Sequence, residues 1–455
     1  MGYVFYDTET SGLNPRHDEI LQFAAITTDV DFLETGRFER QLRLSPHIIP
    51  SPSALRVNRI SVAECYSPRR SSQLQGIYDI HNFVGSRSPA TYVGWNLIGF
   101  DEEFLRHSFY RQLLDAYPTS RNNNARMDLL GVVRATDAIR PGTLNIPHGP
   151  DGKKTFRLQD LCRANGIHPR AAHEAMSDVE ATIAIAKLVK YRQPEIWSAF
   201  AQTSRKRSAM DILDAKNPCV VVTGWKDRTR MFVGIEIGRD PKLPYSYILD
   251  LAVGLPDFDP SDFDACVAWF NNTPKPVIKI RCNASPTIVP IDDLEEYDDK
   301  VDDLCDRASV ILSDTAKVNR FSDAFHAHIS RDYDPEHVED MLYSGGFPTD
   351  RIFKQLHRFR QVDWEDAVLI ARSLDDRRYR KFAMRLIAEH APELLTDEER
   401  RLYDEFLLAR FEPLLPNDVP WMSLTRARQE IEMLDITAQK TLDREYAKQF
   451  LIYRR

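Results

Sequence analysis

Two carboxylates, Asp7 and Glu9, stand at the end of an apolar run in YVFYDTETSGL. In a β-strand, residues i and i+2 point to the same face, so the pair projects together. Taken alone, a D-x-E reads as a solvated strand end. A third carboxylate, Asp101 in NLIGFD, stands where a helix begins after TYVGW. Helix starts favour a carboxylate as a cap, and capping is a complete structural account of Asp101 by itself. A histidine and a fourth carboxylate, His173 and Asp178, lie five residues apart in HEAMSDVEATIAIAKLVK. Five residues of α-helix turn through about 500°, so the two do not share a helix face. The spacing predicts His173 on a loop or frayed turn and Asp178 in the first turns of the helix that follows. An ordinary loop histidine is the plain alternative for His173.

The set is more specific than any member. Two Mg²⁺ or Mn²⁺ ions about 3.5–4 Å apart need several oxygen ligands, and they clamp the attacking and leaving oxygens of a phosphodiester. A histidine with a near-neutral pKa takes the proton from an attacking water.

These side chains need elements to hold them. Tyr3–Tyr6, Leu21–Thr27 and Thr91–Gly94 read as short strands, and Glu102–Leu114 and Asp178–Tyr191 as helices. Strand and helix patterns alternate, which predicts an α/β layered sheet covered by helices over residues 1–200. The segment 201–206, AQTSRK, reads as a hinge. From Cys219 the period becomes two, in CVVVTGW, RMFVGIEIG, YSYILDLAV, PVIKIR and PTIVP, with one helix near Ser261–Phe270. This predicts a small β-rich unit, a barrel, over 201–333. Residues 334–455 read as helical, with amphipathic segments at Asp350–Phe359, Trp364–Leu374 and Thr396–Ala409.

The chain has 455 residues and a net charge of −8. That charge is unevenly spread. Residues 1–200 carry 23 Lys and Arg against 22 Asp and Glu, 201–250 carry 9 against 6, 251–350 carry 8 against 21, and 351–455 carry 20 against 19. The acidity is confined to one stretch, so a basic channel elsewhere is compatible with the composition. No apolar run reaches about 18 residues, so no membrane association is expected. The strand-like YVFYD begins just after Met1 and Gly2, with no basic n-region or long apolar h-region, so no secretory signal is expected. Six scattered cysteines form no CxxC pair, and a cytoplasmic location is expected.

DTETSGL, NLIGFD and HEAMSD resemble the three motifs of the DEDD superfamily of 3′→5′ exonucleases. Position 174, where the tyrosine subclass would carry its tyrosine, is Glu174, which favours the histidine subclass. QFAAITTD, RMDLLGVVRA, TFRLQDLCRANGI, ATIAIAKLVKYRQP and LYSGGFPTD are similar to the bacterial exodeoxyribonuclease I family. The resemblance is dense over 1–200, thin over 201–333 and moderate near 342–350. It implies a ribonuclease H-like exonuclease domain with a central mixed sheet (1–200), an SH3-like β-barrel domain (201–333) and an all-helical C-terminal domain (334–455). It further implies that Asp7, Glu9, Asp101 and Asp178 hold two Mg²⁺ ions, with Mn²⁺ as a substitute, Asp101 partly through water. His173 would be the general base. The implied reaction is in-line attack of water on the terminal phosphodiester of single-stranded DNA, releasing 5′-mononucleotides, in DNA repair and recombination. The implied protein is a monomer with a single-stranded-DNA-binding protein as a partner.

For the strand itself, the resemblance implies contacts from Arg106, Tyr117, Arg134 and Arg157, and Glu9 and Lys206, the latter in the basic RKR segment, are further candidates. Arginine pairs with phosphate and aromatic rings stack on unpaired bases. The plain alternative is solvated arginines and core tyrosines, Tyr110 among them. Trp225, Lys226 and Arg228 on a turn are a weaker candidate group, and Asp128 reads as a helix cap or core salt bridge. An exoribonuclease or proofreading-type exonuclease is the alternative enzyme. An inactive binding protein is the alternative of another class, although a binder would not need all five motif residues.

Overall fold

A computed structural model describes residues 2–168, 174–225, 228–331 and 334–450. Five strands form the first sheet: β1 (Tyr3–Thr10), β2 (Ile20–Thr28), β3 (Glu34–Gln41), β4 (Thr91–Gly94) and β5 (Ala125–Asp128), in the order β3-β2-β1-β4-β5. β1 pairs antiparallel with β2 and parallel with β4, so the sheet is mixed. All nine residues of β2 are buried, because helices cover both faces. β3 is the charged edge, ETGRFERQ, with alternating exposure that discourages further pairing.

The strand period sorts β1 onto two cores. Phe5 faces the helix Ala175–Arg192 together with Ile26, Val93 and Met127, against Val179 and Ala186. Val4 and Tyr6 face the other way, with Phe23 and Tyr92, against Ile77, Phe104 and Phe109. Asp7 and Glu9 continue the Phe5 face, the side that carries the helix Ala175–Arg192. A register shift between Glu9 and Thr10 ends the regular pairing there.

The expected hinge is absent. Helix Pro194–Thr203 and helix Lys206–Asp214 leave only Ser204 and Arg205 between them. Ile196, Trp197 and Phe200 on the first, and Ala209 and Leu213 on the second, are buried, so packing holds a stretch whose composition reads as flexible.

The second sheet is antiparallel throughout: β6 (Cys219–Trp225), β7 (Arg228–Arg239), β8 (Tyr245–Asp250), β9 (Val277–Arg281) and β10 (Ile288–Pro290), in the order β10-β6-β7-β8-β9. Helices Val301–Ser313 and Thr315–Ile329, unforeseen in the β-rich reading, bury Ala308, Val318, Phe321 and Phe325 against Ile235 and Tyr247. At a bulge in β7, Gly238 lies so close to Ser322 that a Cβ would collide with it.

The C-terminal region is helical, with Thr349, Asp363, Asp376, Thr396 and Ser423 capping five of its helices. It packs directly on the first-sheet unit. Tyr110 and Leu113 join Val338, Leu356 and Phe382 in one apolar cluster, and Leu21, Ile48 and Leu55 join Phe411, Leu424 and Tyr446 in another. A set of buried polar contacts also forms around His17. Arg410 Nη1 stands 3.2 Å from His17 Nδ1, His17 Nε2 lies 3.3 Å from Asp340, and Arg111 donates to the Asp18 carbonyl at 2.7 Å. Among the described residues no helix is long and apolar enough to cross a membrane.

Candidate active site

β1 presents Asp7 and Glu9 on one face, and the helix Ala175–Arg192 brings Asp178 to them in its first turn. One oxygen from each of the three carboxylates lies within 4.8 Å of the others. Asp101 adjoins them by a different route. It is the first residue of the helix Asp101–Arg111, after Phe100 with φ −135° and ψ −78°, and no side chain caps that end. The Asp101 carboxylate instead turns to β1, where Oδ1 accepts from Thr8 N at 2.9 Å and Thr8 Oγ1 at 2.7 Å. Capping therefore does not account for Asp101.

Burial raises the pKa of all four carboxyls, and neighbouring carboxylates raise Asp7 and Glu9 further. Asp7 is pushed well above the ordinary carboxyl range, first by desolvation and then by the charges of Asp101, Glu9 and Asp178. Glu9 is pushed up to about 8 by burial, then by Asp178 and Asp101. Burial lifts Asp101 to about 7 against the two Thr8 hydrogen bonds, and lifts Asp178 to about 6. Asp178 Oδ1 is buried with no hydrogen-bond partner among the described residues. Clustered carboxylates without a cation carry a repulsion that a hard divalent ion relieves, and oxygen donors are the ligands such ions take. Asp7, Glu9 and Asp178 fit a divalent ion directly, with Asp101 beside them. His173 lies outside the described residues.

The cluster opens into a cleft of about 710 Å³ whose walls include Trp95, Asn96 and Phe100, and, from the far end of the chain, Pro420, Trp421 and Arg426. Asn14 Nδ2 donates to the Pro420 carbonyl at 2.8 Å and Ser51 Oγ to Glu430 at 2.8 Å, which fastens that wall. No spacing in the sequence signals these partners, which lie hundreds of residues away.

The expected strand-binding residues divide into groups. Arg106 and Tyr117 come together, with the guanidinium 5.3 Å from the ring centroid. Arg106 is also paired with Glu102 at 3.0 Å and reaches the Tyr343 hydroxyl at 3.2 Å, so it is not a free surface cation. Tyr117 meets Phe347 edge-on at 5.6 Å. Arg134 lies over the Phe156 ring at 5.1 Å and against Gly224 of β6. Arg157 is exposed before the helix Leu158–Ala164, and Lys206 is exposed at the start of the helix Lys206–Asp214. Tyr110 is buried and donates to the Val338 carbonyl, the core role. Asp128 caps the helix Leu129–Ile139 through Leu130 N. Lys226 lies outside the described residues.

Sequence reasoning passed over Glu102. Fully buried, it accepts from Tyr6 at 2.9 Å, Thr119 at 2.6 Å, Arg126 at 2.9 Å and Arg106. Two buried guanidiniums hold its pKa below the ordinary value against burial.

Residues 4–186 match the family model described as Exonuclease, and residues 336–452 match the model of the Exonuclease I C-terminal domain. The chain thus carries an exonuclease domain and an exonuclease I C-terminal domain, and it is similar to the exodeoxyribonuclease I family. A relative in this family, exodeoxyribonuclease I of Haemophilus influenzae, is 37% identical over 226 residues, 49% of this chain. The chain spans about half of that relative's length, 47%, in this alignment. In three dimensions the similarity is longer. The crystal structure of E. coli exonuclease I in complex with a dA16 oligonucleotide superposes with a TM-score of 0.84 at 26% identity, over 99% of both chains. The zinc-bound form of the E. coli enzyme with single-stranded DNA gives 0.82 at 25%, again over 99% of both. Exonuclease domains of this family use divalent metal ions, the chemistry that the carboxylate cluster fits.

Proposed function

We propose that this chain degrades single-stranded DNA from the 3′ end to 5′-mononucleotides, with two Mg²⁺ ions as cofactors, in DNA repair and recombination. The observation that carries this reading is the convergence of Asp7, Glu9 and Asp178 within 4.8 Å, with Asp101 beside them. Divalent ions bound there stabilise charge developing on the phosphodiester and lower the pKa of water. The protein's own part is positional. Asp7 and Glu9 are fixed by the β1 ladder, Asp178 by its helix, and Asp101 by Thr8. His173, in sequence five residues before Asp178, takes the proton from the attacking water. Glu9 meets the terminal nucleotide, and Arg106, Tyr117, Arg134, Arg157 and Lys206 hold the strand behind it.

The reading divides the chain into an exonuclease domain (1–200), an SH3-like domain (201–333) built on the second sheet, and a helical domain (334–455) that walls the cleft. A cytoplasmic monomer working beside a single-stranded-DNA-binding protein completes it, and six unpaired cysteines suit a reducing compartment.

The test is digestion of matched single-stranded DNA, blunt duplex DNA and RNA with Mg²⁺, with 5′-labelled substrates and sized products. A shortening ladder from the single DNA strand is expected. The duplex should resist, since each terminal step costs about 1.4 kcal/mol to unpair. Immediate release of a labelled 5′-mononucleotide would reverse the polarity, and faster digestion of RNA would favour the exoribonuclease alternative.

A further inference from the structure

The cleft that holds the carboxylates has a marked charge imbalance. Asp7, Glu9, Asp18, Asp101, Asp178 and Glu430 line it, and Arg426 is the one cation among its described lining residues. Before divalent ions neutralise the carboxylates, a polyanionic strand entering such a cleft meets repulsion from all its charged lining groups but one. We propose that Arg426 binds a backbone phosphate of the strand at this cleft, a phosphate-binding role supplied by the C-terminal helices. The inference rests on the exonuclease reading above and adds a residue to it.

Arg426 is held for such a contact. It sits on the helix Leu424–Glu432, half-buried, with Ser423 capping the helix through Arg426 N. Its Nη1 donates to the Val419 carbonyl at 3.0 Å and to the Trp421 carbonyl at 2.7 Å. Those two bonds fix the guanidinium plane and the segment that forms the cleft wall. Nε and Nη2 take no protein partner among the described residues. Among the described residues no carboxylate pairs with Arg426, whereas Arg106 already spends its charge on Glu102. An arginine pinned through one nitrogen presents its remaining donors with little ordering cost, and its fork matches phosphate oxygens. Nearby anchors keep the helix in place: Ala427 and Ile431 are buried in the seam with Leu21 and Leu55.

The experiment measures binding of a fluorescent oligothymidylate to the full-length protein in EDTA, across a range of salt, for wild type, Arg426→Gln, Arg426→Met and Arg426→Lys. Glutamine keeps an amide donor for the Val419 and Trp421 carbonyls and so spares the wall. Methionine is the second neutral variant should the glutamine variant not melt as wild type does. Loss of one phosphate contact should make the slope of log K against log salt shallower by about 0.7 in the neutral variants. Arg426→Lys should retain the slope. In Mg²⁺, KM for the oligothymidylate should rise several-fold in the neutral variants with a smaller change in kcat. A folded neutral variant with the wild-type slope, or a lysine variant as shallow as the neutral ones, overturns the phosphate role and leaves Arg426 as a clamp on the 419–421 segment. The binding slopes are read independently of turnover. A wild type that binds with the Arg426-dependent slope yet releases no nucleotide defeats the exonuclease reading alone. A wild type that digests the strand while the neutral variants keep the full slope defeats this inference alone.

Discussion

Thr8 gives both its backbone N–H and its hydroxyl to a single oxygen of Asp101, at 2.9 and 2.7 Å. Thr8 sits between Asp7 and Glu9 on β1 and points to the opposite face, so one three-residue stretch places two carboxylates and orients a third. Thr8→Val keeps the shape and removes the hydroxyl. A hydrogen bond to a charged group is worth about 1.5–3 kcal/mol, so kcat should fall roughly tenfold to a hundredfold while the fold persists. The acid limb of the pH–rate profile should move to higher pH, because the bonds from Thr8 lower the Asp101 pKa. A wild-type profile in the variant would show that Asp101 needs no orientation by Thr8.

Asp7→Ala should abolish hydrolysis and leave the protein folded. Without divalent ions the variant should melt at or above the wild-type temperature, because Asp7 is the carboxyl on which the charges of Asp101, Glu9 and Asp178 all bear. Mg²⁺ should raise the melting temperature of the wild type more than that of the variant. Equal Mg²⁺ stabilisation of the two would remove Asp7 from the ligand set.

His173→Ala should lower turnover by about 10²–10⁴, typical for loss of a general base, with little change in DNA affinity. Single-turnover rates at saturating oligonucleotide give the measure. Weakened binding with an unchanged rate would make His173 a binding group.

Glu102→Ala would leave Arg126 and Arg106 buried without their shared carboxylate. Removing one partner of a buried pair costs about 3–5 kcal/mol, so the urea midpoint should drop sharply. Glu102→Gln keeps one acceptor oxygen, at the position that takes Thr119, Arg126 and Arg106, and should lose less. Loss below about 1 kcal/mol in the alanine variant, within the range of exposed pairs, would mean that the guanidiniums find new partners.

Glu389 sets a pH dependence of stability. Burial, then the charge of Glu19, pushes its pKa from 4.5 up to about 8, while burial drives the adjoining His47 well below its ordinary value. The 3.0 Å contact between them therefore joins a neutral carboxyl to a neutral imidazole near neutral pH. A carboxyl whose folded pKa is raised favours the folded state at low pH, and that contribution is lost as pH rises from about 4.5 to about 8. Glu389→Gln removes the titration. The melting temperature of the variant relative to wild type should climb between pH 5 and pH 8, and a flat difference would contradict the assignment.

Much of the site was legible in the chain because its spacing rules are local. The two-residue strand period placed Asp7 and Glu9 on one face, and the helical pattern after Glu174 placed Asp178 in a first turn. The four-residue strand TYVG and the helix Asp350–Phe359 were read to their ends, since side-chain period and flanking caps define them. The helices Val301–Ser313 and Thr315–Ile329 were not, because the acidic sequence gains its helical form by burying Phe321 and Phe325 on β7. The expected hinge became two packed helices for the same reason: burial of Trp197, Phe200 and Leu213 outweighs a polar, basic composition. Only the tertiary structure decided the direction of Asp101, set by Thr8 from 93 residues away. The same holds for the four-way junction at Glu102 and for the wall that carries Arg426. Each depends on desolvated polar contacts between distant segments, whose strength comes from the burial that folding creates and which no local period encodes.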